Sequence, residues 1–243
     1  MHGTRTTAAR ATTAAAAGAA LVLGLAACAG APSGPVVTRD VAIEDVTAVQ
    51  LATPGDLTIR RGSTPSLTVT ASEGTQDRLV SEVRDGVLVL DARQSFGVGA
   101  WGEVSYELVL DEVAELVVSG SGGVTGDDVT GDALRLSVEG SGSVDLTGVD
   151  AETVALRVAG SGDVELEGRT GSLALGIEGS GGVDADGLRA AEVDVSIEGS
   201  GDVEVHATRR LAVSIEGSGS VSYAGDPEVT QRIEGSGDVR REG

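Results

Sequence analysis

Apolar and polar residues alternate along several long stretches of this chain. Leu134, Leu136 and Val138 are followed, at the same parity, by Gly140 and Gly142 and then by Val144 and Leu146. The series Val193, Val195, Ile197, Gly199, Gly201, Val203, Val205 repeats the pattern. A period of two sends successive side chains to opposite faces, so both stretches predict β-strands with one buried face. The alternation runs straight through a Gly-Ser-Gly triplet. Both glycines therefore take the buried parity, and the serine takes the outward one.

The triplet marks a repeat. It occurs seven times, starting at Gly120, Gly140, Gly160, Gly179, Gly199, Gly217 and Gly235, with spacings of 20, 20, 19, 20, 18 and 18 residues. A flexible Gly/Ser linker keeps no such period. Aligned on the triplet, the copies give two apolar columns. Val118, Val138, Val158, Ile177, Ile197, Ile215 and Ile233 stand two positions before it, and Val124, Val144, Val164, Val183, Val203, Val221 and Val239 two positions after it. One coil cannot bury such a face alone, and stacking buries it against the next. The pattern predicts an all-β fold, a parallel β-solenoid (β-helix) of about 20 residues per coil, wound right-handed as parallel crossovers are. At about 4.8 Å per coil, the stacked copies make a rod about 30 Å tall. An interior glycine lets the chain bend sharply over a narrow core.

Residues 36–118 follow the pattern less regularly. The segment from Leu51 through Thr53-Pro54-Gly55 to Ile59 reads as a degenerate copy of the same strand-bend-strand unit. Further strands are expected at Leu67–Thr70, Val87–Leu90 and Ser105–Leu110, with Asp85-Gly86 as a hairpin turn. Phe96 to Gly102 reads as a loop that carries the only Phe and the only Trp. The expectation is one continuous domain whose N-terminal coils carry insertions and close the end of the stack.

Composition agrees with thin stacked strands. Hydrophobic residues make up 40% of the chain, aromatics only 2%, and there are 37 glycines. All 17 basic residues are Arg, against 38 acidic residues. Without Arg5 and Arg10 of the N-terminal segment, 15 basic residues face 38 acidic ones, a net charge of −23. Such a surface repels nucleic acid and anionic headgroups, and it also serves simple solubility.

The N-terminus reads as an address. Arg5 and Arg10 form a positive region, and Ala11 to Leu25 form an apolar stretch too short for a comfortable membrane span. Leu25-Ala26-Ala27-Cys28 then resembles a bacterial lipobox, with Cys28 as the lipid attachment site. Two or three acyl chains give stable anchoring at about 0.8 kcal/mol per buried methylene. Cys28 is the only cysteine, so no intrachain disulfide is possible. The expected boundaries are a signal peptide at 1–27, a Pro/Gly-rich tether at 28–38 and the solenoid domain at 39–243.

The chain resembles the GIN-domain lipoproteins, also described as auto-transporter adhesin head domains, a family of unknown function. The residues that carry the resemblance are Thr53-Pro54-Gly55-Asp56-Leu57, the segment Val83 to Leu90, the triplet series, and Val221 to Pro227 ahead of the last triplet. The resemblance spans nearly the whole chain after Cys28. It implies a lipid-anchored β-solenoid at the cell envelope, exported to the outer face of the cytoplasmic membrane or to the outer membrane. It does not fix a function.

Catalytic chemistry is poorly provided for. His206 is the only histidine after Cys28, and no motif places it beside a serine. Carboxylate pairs such as Asp163 with Glu165 or Asp202 with Glu204 would suit glycan cleavage, but acids at outward positions are usually a solvated face. No triplet is followed by Lys, which excludes a phosphate-loop fingerprint. Beside the bends, Glu178, Glu198, Glu216 and Glu234 fall in consecutive copies, flanked by Asp202 and Asp238. These six are candidate ligands for Ca²⁺, since bound cation would relieve the repulsion of stacked carboxylates. No other cofactor is expected. The leading reading is a non-catalytic scaffold or binding module, adhesive in the resembling family's terms. The alternatives are a glycan-acting enzyme and a calcium-dependent structural module. The partners expected are the membrane, through the anchor, and an envelope protein or glycan; nucleic acid and nucleotides are not expected. Cys28→Ala is expected to abolish metabolic labelling with a fatty acid and to move the protein from the membrane to the medium or an unprocessed pool. Unchanged labelling and fractionation would refute the anchor.

Overall fold

The computed structural model describes residues 34–93 and 102–242. Cys28, the signal-like segment and residues 96–101 of the expected loop lie outside the described residues. The irregular N-terminal part comprises β1 (Val36–Val41), β2 (Ala48–Leu51), β3 (Asp56–Arg61), β4 (Ser66–Ser72), α1 (Glu73–Gln76), β5 (Leu79–Arg84), β6 (Val87–Ala92) and β7 (Val104–Leu110). It is followed by β8 (Glu115–Val118) and β9 (Gly123–Asp127). β2 and β3, joined at Thr53-Pro54-Gly55, form the degenerate coil that the spacing predicts. It lies parallel to β8 and β9 on one side. Its other neighbours, β6 and β7, come from later in the chain.

Beyond that layer the stack ceases to be purely parallel. β4 pairs antiparallel with β7, β1 with β4, and β5 with β6. Antiparallel neighbours need only short turns, whereas each parallel neighbour needs a full crossover. The β5–β6 turn shows the expected chemistry: Asp85 and Gly86 take φ of 51° and 82°, as a two-residue hairpin turn requires. β1 begins at Val36, inside the segment assigned to the tether, with Val36 opposite Ser72. The buried Gln76 side chain of α1 closes this end, donating from Nε2 to the carbonyls of Val37 at 3.3 Å and Val69 at 2.8 Å. Tyr106 is fully buried under the Thr53-Pro54-Gly55 corner, and Thr53 Oγ1 donates to its hydroxyl at 3.3 Å. Burial pushes the Tyr106 phenol pKa up.

The regular part consists of β10 (Thr130–Gly140), β11 (Ser143–Gly160), β12 (Asp163–Gly179), β13 (Gly182–Gly199) and β14 (Asp202–Gly217), and then β15 (Ser220–Ala224), β16 (Glu228–Gly235) and β17 (Asp238–Arg241). Each pairs in parallel with its equivalent one coil away. The result is a β-solenoid of about six turns. Within most of these coils the alternation breaks twice. In β11, Val144 and Leu146 are buried, then Val149 and Ala151, then Val154, Leu156 and Val158, with two outward residues between successive groups. Each break is a corner, giving the coils of β11, β12 and β13 three arms around one core, while in β14 the alternation runs on from Val203 to Ala207 and breaks once, at Thr208 to Arg210. The uneven repeat spacing is absorbed at these breaks. Register shifts fall between Leu146 and Val149, Glu165 and Gly168, Ala185 and Arg189, and Ala190 and Glu192. The arms flanking the triplets stay in step.

The inward columns are buried as the pattern predicts except in the last coil, where no further coil covers them: Ile233 is exposed and Val239 half-buried. Val118, Val138, Val158, Ile177, Ile197 and Ile215 are at most 1% exposed, each contributing about 1.5–3 kcal/mol. The glycines divide the work between them. From Gly140 to Gly219 the second glycine of each triplet is buried and the first half-buried, and the first is left-handed, with φ of +130° to +141°, from Gly140 to Gly235. A Cβ on Gly199 would lie 2.2 Å from the Gly179 carbonyl oxygen, so it would run along the stack into the preceding coil and not simply inward. A Cβ on Gly201 would lie 2.6 Å from the Gly181 carbonyl oxygen and 2.9 Å from Ile177 Cγ2. The serine between them is exposed, and the Ser200 amide donates to the Gly179 carbonyl at 2.8 Å. Gly201→Val is therefore expected to destabilise by about 1–3 kcal/mol through overpacking, and Ser200→Ala by no more than about 0.5 kcal/mol. Equal denaturation midpoints for the two variants would overturn this assignment of faces.

Candidate binding faces

The triplet corner separates two outward surfaces. The third arm, which runs into the triplet, carries unusually small outward residues. Ala155, Ala174, Gly176, Ser196, Ala212 and Ser214 floor a trough of about 720 Å³ that crosses the coils along the stack. Gly176 shows how open it is, for an added Cβ there would meet nothing within 4 Å. Arg135, Arg157 and Arg232 rise from the floor, together with Asp194 and Thr230. Strand alternation puts Glu178, Glu198, Glu216 and Glu234 along one rim and Glu192 and Glu228 along the other. Arg157 reaches across a coil to Glu178 at 2.5 Å, and Arg232 pairs with Glu234.

The first arm, which leaves the triplet, carries the opposite character. Asp145, Glu165, Asp184 and Glu204 stand in register in four successive coils. With Asp163 and Asp202 they line a shallow trough of about 330 Å³. The pairs Asp163/Glu165 and Asp202/Glu204 both lie here. All four side chains are exposed. His206 lies half-buried on β14, in register with Arg189 and Ala224.

Glu178, Glu198, Glu216 and Glu234 form one ladder, as their spacing predicts. Asp202 and Asp238 do not flank that ladder as a shared site. They stand across the corner, in a different column, with Ser220 between them. Ser220 Oγ donates to Asp202. Among the described residues, no three His, Cys, Asp or Glu side chains are grouped so as to hold a metal ion. The physical reason is parallelism: side chains of a strand ladder leave the sheet side by side and do not converge. The small-residue floor was missed by reasoning from the sequence. Its signal is the outward parity of the third arm, where Ala, Gly and Ser recur while the inward parity holds Val, Leu and Ile.

Inter-coil ion pairs run down the outside of the stack. Arg169 donates bidentately to Asp150, with Nε to Oδ1 at 2.9 Å, and this hydrogen bonding holds the Asp150 carboxyl below the usual carboxylate range. Arg209 pairs with Glu192 at 3.0 Å. These pairs are exposed and individually weak.

The stack is a parallel β-solenoid with two long open faces, and a fold of this kind does not by itself fix a function. Residues 45–227 match the family described as "Putative auto-transporter adhesin, head GIN domain", and the chain belongs to that family. A crystal structure of a "putative adhesin" from Bacteroides fragilis is similar, with a TM-score of 0.82 and 25% identity over 87% of this chain and 99% of that one. A "Putative lipid binding protein" from Parabacteroides distasonis gives a TM-score of 0.72 at 25% identity, covering 87% and 98% of the two chains. A further "putative adhesin", from Parabacteroides merdae, shares the fold, with a TM-score of 0.65 and 22% identity over 86% and 97%. No curated protein matches the sequence. No helix among the described residues is long and apolar enough to cross a membrane.

The glutamate ladder has a measurable cost. Glu198 stands between Glu178 and Glu216, and no ion pair among the described residues includes it. Glu198→Gln is expected to raise the melting temperature at low salt, by at most about 0.5 kcal/mol of stability. Glu178→Gln is expected to show no such gain, because Arg157 loses its partner. The difference should vanish near ~1 M salt, where the screening length falls to about 3 Å. A salt-independent difference in thermal melts would refute the electrostatic origin.

Proposed function

We propose that this protein is a lipid-anchored, non-catalytic envelope module, adhesive in function, and that the third-arm trough is its docking face. The trough carries the reading. A volume of about 720 Å³ lies within the range of binding sites, about 300–1,000 Å³, and its floor belongs to the most regular part of the stack. Membership of an adhesin-head family and likeness to adhesin structures support surface display. The lipobox-like sequence ending in Cys28 supplies the anchor.

One structural relative is described as lipid binding, and the mostly apolar lining of this trough favours a partner with an apolar face as a second reading. The floor is open and interspersed with guanidinium groups, a carboxylate and hydroxyls.

Gly176→Trp tests the reading. The ring enters open space and a strand tolerates it well, so stability should change by no more than about 0.5 kcal/mol. Retention of the purified full chain on intact cells of the producing organism is expected to be lost in Gly176→Trp. Equal retention of variant and parent would refute the trough as the docking face.

A further inference from the structure

We infer that the C-terminal end of the solenoid pairs edge to edge with the same end of a second copy of this chain. The last coil, β16 and β17, keeps the stacking pattern of the coils beneath it. Val229, Ile233 and Val239 continue the inward columns, and Glu234 continues the glutamate ladder. No further coil covers them. Ile233 is 36% exposed, whereas Ile215 beneath it is 0% exposed. The direction of the free backbone groups follows from the ladder. The Ser236 amide donates back to the Gly217 carbonyl at 2.8 Å. The Arg135 amide, in the column that ends at Thr230, donates back to the Ala114 carbonyl. Backbone groups alternate in direction along a strand. Thr230 and Arg232 therefore bond to the coil beneath, and Gln231 and Ile233 aim their N–H and C=O groups out of the stack. Such a row, beside apolar side chains, is a template for another strand.

The opposite end of the rod cannot supply that strand in the manner of a further coil. There α1 and the buried Gln76 side chain close the core, so head-to-tail stacking has no mate and no filament grows. The surface that matches is the same end of another copy. Such a contact is isologous and closed by a two-fold axis, and edge strands related by that axis run antiparallel. Charge then fixes the register. With Ile233 opposite its own equivalent, Arg232 stands opposite Glu234 of the second copy, twice by symmetry. These are non-hydrogen-bonded positions, where facing side chains stand closest, and opposite charges there attract. Arg232 also pairs with Glu234 of its own chain, so the side chains close a ring of alternating charge. Gln231, a polar residue at an inward position, then faces Gly235, which has no side chain to crowd it. Moving the axis to Arg232 or to Glu234 sets each against its own equivalent, and moving it to Gln231 sets Glu228 against Glu234. Like charges directly opposite are unfavourable. The contact supplies about four backbone hydrogen bonds and is smaller than the roughly 800 Å² per partner of a stable interface, so the pairing is reversible.

The test is cross-linking of the full chain on intact cells of the producing organism with bismaleimidoethane, a short thiol-to-thiol linker. Ile233→Cys places two thiols on residues about 5.5 Å apart. Gln231→Cys places them on residues offset by about 14 Å along the strands. Cys28 is present in every variant, so the parent chain sets the background. A covalent dimer from Ile233→Cys and none from Gln231→Cys is the expected result. Within the Ile233→Cys chain, Arg232→Glu is expected to abolish the dimer, and the further change Glu234→Arg to restore it. Thermal melts that match the parent separate loss of pairing from loss of fold. No dimer from Ile233→Cys overturns the inference, as do equal yields from the two positions or a charge swap that restores nothing. A cross-link to a chain of another mass, in place of the dimer, overturns it too and assigns the edge to a different protein.

Discussion

The structure depends on backbone lying directly on backbone at the triplet corner. The serine amide of one coil reaches the glycine carbonyl of the coil before it, at 2.8–2.9 Å from Ser161 to Ser236. That contact leaves no room for a side chain at either flanking glycine. Everything else is arranged around it. The Val and Ile columns on both sides of the corner can touch their equivalents because the corner fixes the distance between coils. The outward columns are straight for the same reason.

The repeat was legible because its two signals coincide, a period of two along each strand and a period near 20 between coils. The columns from Val118 to Ile215 and from Val124 to Val221 follow directly from them. The conformation of the first glycine did not follow. Parity alone put Gly199 among the inward positions, whereas its left-handed backbone turns the missing side chain along the stack. The Asp85-Gly86 turn announced the antiparallel β5–β6 pair, but β1 and the antiparallel direction of β4 were hidden, since a short alternating segment looks the same whichever way its partner runs. Of the candidate sites, the glutamate ladder was legible as a ladder, and Asp202 and Asp238 were misplaced. A linear alignment shows which residues share a coil position but not that the triplet corner turns the next arm onto another face. The trough went unseen because attention goes to groups that carry chemistry, and its defining property is the smallness of Ala155, Ala174 and Gly176.

The two faces divide the surface electrostatically. The first arm gathers carboxylates with no cation among the residues lining its trough. The third arm mixes three arginines with acids and small residues. A uniformly acidic rod would be soluble and indifferent. This one is acidic on one side and mixed in charge, with a floor of small residues, on another.

The register shifts carry a consequence for how such a surface can change. Coil length varies by up to two residues among the triplets, yet the slack is taken up at the two corners remote from the triplet. These corners act as expansion joints. Residues can be gained or lost there without sliding one row of outward side chains past the next. The third-arm face can therefore be rewritten one row at a time while the core beneath it keeps its alignment. Diversity in what the rod presents and constancy in how it stacks are mechanically uncoupled.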